Sequence, residues 1–300
     1  MVSEEMEMSE RLLRAIYRPQ NYYCVHVTMQ SEALYKAYES ISSCLPNVIL
    51  PIRRVFVEWD RFSALDAELS CLETLWPFTR WKYFINLNEK EFPLKSNAEL
   101  VQILQSLDGA NDVHASRNGE HAEKWPFDHD IHYWHRPFRG SPHMAASRAF
   151  VDYALHHTEA ESILEWVKAL KSHHHEIFFS TLNHNPNIEA PGSHIAVEES
   201  DYYTKPHISQ YRVTNTSVDQ ACKSGRWDNA DCVLSFGDLP EMLRSKKLFA
   251  STFHIREDPL VVSCLEERLY NETKSNFIDA ESVNVSYYRN LNFVLSHVRV

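Results

Sequence analysis

The alternation of two hydrophobic periods along the first 107 residues constrains this chain more than any other feature. Residues 9–17 (SERLLRAIY) have helical spacing, with Ser9 placed as an N-cap. Residues 22–28 (YYCVHVT) read as a short strand, 31–44 return to helical spacing, and 47–50 and 54–57 are strand-like. From Phe62 the apolar positions Phe62, Leu65, Leu69, Leu72 and Trp76 recur at three- and four-residue steps, one face of a long helix. Residues 81–87 then predict a strand and 98–107 a helix. This order predicts an α/β fold: a mixed, mostly parallel sheet flanked by helices. Ligands of such sheets bind beyond the carboxyl ends of strands, here the loops after Val27, Leu87 and Phe236.

The texture changes after Asp108. Residues 108–139 are polar, rich in His and aromatic residues, and show no period. Helical spacing resumes over 147–182, residues 186–228 are irregular, and the rest reads as strand, helix and a final helix. A loop as long as 108–139 inside a compact domain is usually functional or mobile, and 186–228 is a second long loop. The 300 residues are read as a single domain, with a divergent or truncated start at 1–8.

Charge and composition exclude several classes. Lys and Arg total 30 against 41 Asp and Glu, a net −11 that argues against a nucleic-acid partner. Hydrophobic residues at 44% exclude a disordered chain. The start, MVSEEMEMSERLLRAIY, has no basic stretch followed by an apolar run, so it does not read as a signal peptide. No window approaches the ~18 apolar residues of a membrane span. Against a cytosolic reading stand three glycosylation sequons, at Asn215, Asn271 and Asn284. With only six glycines and no glycine-rich phosphate loop, P-loop and dinucleotide-binding readings drop out.

Three constellations could carry chemistry. His173-His174-His175-Glu176 has metal-ligating residue types, but consecutive helical side chains point about 100° apart and cannot converge on one ion. Asp128-His129-Asp130 could share a divalent cation on extended backbone, yet it lies in a polar loop rather than after an apolar strand. Glu176 opens the segment EIFFSTLNHN, where the helix dipole favours a carboxylate whatever its role. No nucleophilic Ser motif is present, and nothing selects one of the six cysteines.

Several segments nevertheless match one family in order. RLLRAIYRPQNYYCVHV (11–27), SCLPNV (43–48), AELSC (67–71) and WKYFINLNEKEFPLKSN (81–97) resemble the core 2/I-branching β-1,6-N-acetylglucosaminyltransferases. So do Gly140-Ser141, Glu176–Leu182, Gly237-Asp238-Leu239 and Leu248-Phe249-Ala250, and the match runs from about Glu7 to Leu269. The resemblance implies a GT-A-like nucleotide-sugar fold. It implies inverting transfer of GlcNAc from UDP-GlcNAc to the 6-hydroxyl of a sugar in an O-linked or related glycan, without a metal cofactor. The general base of that family falls on Glu176. The implied setting is the lumenal side of the Golgi membrane, reached through an N-terminal anchor not present in this chain.

The departures from the family pattern are as specific as the matches. The first strand of the family falls on MVSEEM, which lacks strand character. Its Asp after the C-x-H-V segment is Thr28, and an aromatic donor contact survives only as Trp59. The two basic residues that neutralise the diphosphate fall on Asn229 and Thr252; Arg226, Lys246, Lys247 and Arg256 are candidate substitutes. Of the acceptor contacts Tyr211 is kept, while an acidic one falls near His114. These losses keep open an alternative: a catalytically impaired relative that binds glycans or proteins. By the same resemblance Cys24 pairs with Cys71 and Cys222 with Cys232, leaving Cys44 and Cys264 as free thiols.

Overall fold

The structure is a computed structural model that describes residues 1–115, 137–185, 187–194, 207–215, 217, 221–278 and 284–299. Helix α1 (Met6–Ile16) leads into strand β1 (Tyr23–Cys24), helix α2 (Glu32–Cys44) and strand β2 (Val48–Ile49). β1 and β2 pair in parallel, Tyr23 beside Val48 and Cys24 beside Ile49. Ser9 does not cap α1: it sits buried inside the helix with Oγ donating to the Met6 carbonyl. The segment leading into the helix is held from afar: the buried Glu89 carboxylate accepts from the backbone N–H groups of Ser3, Glu4 and Glu5, the last of these the residue just before α1.

The opening residues form no strand, but one isolated bridge joins them to the segment after β1. Val2 bridges Val27 in parallel, with its N–H on the His26 carbonyl at 2.9 Å and its carbonyl accepting from Thr28 N–H at 3.1 Å. One apolar residue suffices, because Val2 enters a cluster with Val25, Val27, Leu34 and Tyr38. A bridge this short leaves no period in the sequence to read.

Helix α3 (Phe62–Leu75) buries more than the one face its spacing predicts. Leu65, Leu69 and Leu72 fill the largest core, while Ala67, Glu68 and Cys71 are covered on the flank facing β1. The Cys24–Cys71 disulfide ties that flank to β1, with Cα atoms 5.5 Å apart.

Strand β3 (Tyr83–Ile85), strand β4 (Glu91–Pro93) and helix α4 (Asn97–Ser106) come from the WKYFINLNEKEFPLKSN segment. Its end is a capping box: Ser96 Oγ accepts from Glu99 N–H and the Glu99 carboxylate accepts from Ser96 N–H. Strand β5 (Asp112–Val113) and strand β6 (Met144–Ser147) follow, then helices α5 (Arg148–His156), α6 (Thr158–Ala169) and α7 (His174–His184). Helices α5 and α7 pack on α3, and α6 packs on both of them, around Phe150, Val167 and Phe178.

The remainder comprises β7 (Gln210–Tyr211), the β8–β9 hairpin (Trp227–Asp228, Asp231–Cys232), α8 (Leu239–Arg244) and β10 (Phe249–Ser251). The helices α9 (Pro259–Ile278), α10 (Ser286–Arg289) and α11 (Asn292–Leu295) complete it. Two three-stranded sheets result, in the orders β3-β6-β5 and β4-β10-β7. The α/β class holds, but the parallel majority does not. Among the described strands β3·β6, β5·β6, β4·β10 and β8·β9 are antiparallel, and only β1·β2 and β7·β10 are parallel. Runs such as YFI and FAS carry no mark of strand direction.

Candidate active site

A cleft of about 1540 Å³ opens between α1 and β1, the β3–β4 segment and the start of α7. Residues from Leu87 to Lys90 line it, as the topology predicts, whereas the loop after Val27 does not; on that side the lining ends at His26. The loop at Phe236 does not; that side chain is exposed elsewhere.

Glu176 lies in the first turn of α7 and faces this cleft. Its Oε2 accepts from Arg139 Nε at 2.5 Å and lies 3.3 Å from His173 Nδ1. Burial alone would raise its pKa, but the His173 hydrogen bond and the Arg139 charge outweigh it, so the carboxyl titrates below its ordinary range. Gly140 makes this possible: a Cβ there would lie 1.7 Å from the His114 carbonyl oxygen and 2.6 Å from Ser180 Oγ. Without one, Gly140 N–H reaches the Glu176 carbonyl at 2.9 Å and presents Arg139 to the carboxylate.

The three adjacent histidines diverge, as helical geometry requires. His173, in the left-handed region at φ 62°, faces Asp60 and Glu176. His174 points inward to the Leu170 carbonyl. His175 meets the buried Glu68 carboxylate, which also accepts from Asn86 Nδ2 at 3.1 and 3.2 Å. Among the described residues no three His, Cys, Asp or Glu side chains gather as a metal site. Asp128-His129-Asp130 lies outside the described residues.

Other expected positions divide. Trp59 is exposed and lines the cleft, in a loop that the Asp60–His173 pair holds against α7. Thr28 is buried, with its hydroxyl accepting from Val57 N–H. Tyr211 points away from the cleft into the core beside Phe92 and Cys232, while its strand neighbours Gln210 and Arg212 line the cleft. Successive strand residues face opposite sides, so only one set can reach a ligand. His114 is likewise buried, with Nδ1 accepting from Ser141 N–H at 3.2 Å.

Asn229 and Thr252 do line the cleft. None of the four proposed substitutes does: Arg226 pairs with Glu257, Lys247 turns inward to the His207 carbonyl, and Lys246 and Arg256 lie elsewhere. The cation beside Asn229 is Lys90, whose Nζ reaches Asp228 Oδ2 at 2.6 Å; His254 Nε2 meets the same oxygen at 3.0 Å. Sequence reasoning missed Lys90 because its neighbour Asp228 lies 138 positions away.

Both expected disulfides form, Cys24–Cys71 and Cys222–Cys232, and Cys44 and Cys264 are free. The second bridge braces the β8–β9 hairpin that presents Asp228 and Asn229.

The structure thus combines a mixed α/β scaffold, a long cleft and a carboxylate at a helix start facing it. Residues 1–232 match the family model of the Core-2/I-branching enzyme, and the chain belongs to that family, with its GT-A-like fold. It is 33% identical over 294 residues to human "Beta-1,3-galactosyl-O-glycosyl-glycoprotein beta-1,6-N-acetylglucosaminyltransferase 3", covering 90% of this chain and 66% of the relative. A bovine herpesvirus 4 enzyme of the same kind is 33% identical over 293 residues, with the same shares covered. A second human β-1,6-N-acetylglucosaminyltransferase is 31% identical over 294 residues, 90% of this chain and 68% of that one. The chain thus spans about two thirds of the length of these relatives.

Proposed function

We propose that this protein transfers GlcNAc from UDP-GlcNAc to the 6-hydroxyl of a sugar in an O-linked or related glycan, with inversion and in the Golgi lumen. The observation that carries the reading is Glu176: a carboxylate held ionised by its neighbours, facing a cleft of this size in a chain of this family. Glu176 takes the proton of the acceptor hydroxyl as that oxygen attacks the anomeric carbon. The bond from that carbon to the diphosphate oxygen breaks, and its electron pair leaves with the nucleoside diphosphate. Lys90 and Arg212 are the nearby cations able to offset the leaving charge. Incubation with UDP-GlcNAc and a core 1 O-glycan tests this; no transfer and no donor hydrolysis by the folded, full-length protein would overturn it.

The second reading, a non-catalytic glycan- or protein-binding relative, is favoured by the same wall of the cleft. Asn229 and Thr252 bring no charge, Lys90 is already paired with Asp228, and Arg212 with Asp231. Calorimetric titration with UDP separates the two: micromolar affinity supports the enzyme, and no heat supports the binding module.

A further inference from the structure

The three sequons have very different surroundings. Asn271 lies within α9, where Thr273 spends its hydroxyl on the Leu269 carbonyl at 2.7 Å and the backbone N–H groups belong to the helix ladder. The Asn215 triplet runs through residue 216, outside the described residues. Asn284-Val285-Ser286 differs from both. Asn284 and Ser286 are exposed, while Val285 between them packs against the core cluster of Tyr288 and Phe293. Asn284 Oδ1 accepts from Ser286 N–H at 3.0 Å, and its amide nitrogen makes no hydrogen bond with the described residues. The triplet therefore leads into α10, anchored by Val285, with Asn284 itself exposed ahead of the helix. Asn284 lies outside the cleft lining, so a bulky group there leaves the cleft open.

A separate observation places the chain where such a modification occurs. The Cys24–Cys71 and Cys222–Cys232 disulfides belong to an oxidising compartment. We propose that Asn284 is an N-glycosylation site of this protein. The Asn284 amide nitrogen bonds to the anomeric carbon of an oligosaccharide carried on a lipid diphosphate. The carbon–oxygen bond to the diphosphate breaks, the lipid diphosphate leaves with its electron pair, and the amide gives up one proton. The inference is independent of what the cleft does.

The test uses the full-length protein from cultured animal cells, treated with peptide-N-glycosidase in heavy-oxygen water and mapped by mass spectrometry. Conversion of Asn284 to heavy-labelled Asp, with Asn271 unlabelled, is the expected result. Asn284→Gln and Ser286→Ala should each remove that label, and Ser286→Thr should keep it. Recovery of the Asn284 peptide only in unmodified form, or labelling of Asn271 in its place, would overturn the proposal.

Discussion

Arg139 donates its Nε–H to Glu176 Oε2 at 2.5 Å, from a segment held against α7 by the Gly140 N–H bond to the Glu176 carbonyl. The residue proposed to accept a proton is thus bound to a group that, together with His173, makes it a weaker base. Removing the carboxylate should lower transfer at least ~100-fold, the usual contribution of a general base. In Arg139→Ala the Glu176 pKa rises toward its ordinary value, so the acidic limb of the pH–rate profile moves to higher pH. Transfer assays on Glu176→Gln and a pH series on Arg139→Ala check both; an unmoved limb would show that Arg139 does not set the base.

Gly140 should tolerate no side chain. Ala at this position meets the His114 carbonyl oxygen at 1.7 Å, and backbone cannot retreat as a flexible side chain can. Gly140→Ala is expected to cost at least ~2 kcal/mol, comparable with severe overpacking, with a matching fall in the urea midpoint. Wild-type stability of the variant would mean that the two segments separate freely.

The buried Asp112 carboxylate organises the start of β7. It accepts from Ile208 N–H at 3.0 Å, Ser209 N–H at 2.6 Å and Ser209 Oγ at 2.5 Å. Burial would raise its pKa, but neighbouring His207 and these donors hold it down to about 2. Asp112→Ala strands three donors and should destabilise by roughly 3 kcal/mol or more, read by thermal denaturation at neutral pH.

Acid should destabilise the protein well before its carboxylates titrate. His26 is buried, its Nε2 accepts from Val55 N–H at 3.2 Å, and burial lowers its pKa from 6.5 to about 4. His114, buried beside other histidines, is lowered to about 3. Between pH 6.5 and these values the unfolded chain binds more protons than the folded one, so stability falls as pH falls. Urea midpoints should drop steadily from pH 6.5 to 4; a flat profile over that window would contradict the burial of neutral imidazoles.

The two disulfides should differ in weight. The Cys24–Cys71 bridge spans 47 positions and Cys222–Cys232 spans 10. The chain-entropy model assigns them about 4 and about 3 kcal/mol. Paired Cys→Ala variants compared by Tm should show the larger loss for Cys24 and Cys71. Under native conditions alkylation should label Cys44, which is exposed, ahead of half-buried Cys264.

The sequence by itself determined the elements with strong local signals. The leucine face of α3 announced a helix because burial on one side enforces a 3.6-residue period. The spacing of residues 98–107 marked α4, whose start the Ser96–Glu99 capping box then fixes locally. Glu176 and both cysteine pairs were legible through motif order. Tertiary structure decided what depends on partners far along the chain. Strand direction, the Val2–Val27 bridge and the hold of Glu89 on residues 3–5 have no local period. Tyr211 turned inward because the pleat gave its neighbours the cleft. Lys90, rather than any residue near Asn229 in sequence, came to stand beside it because β4 and the β8–β9 hairpin meet only in the folded molecule.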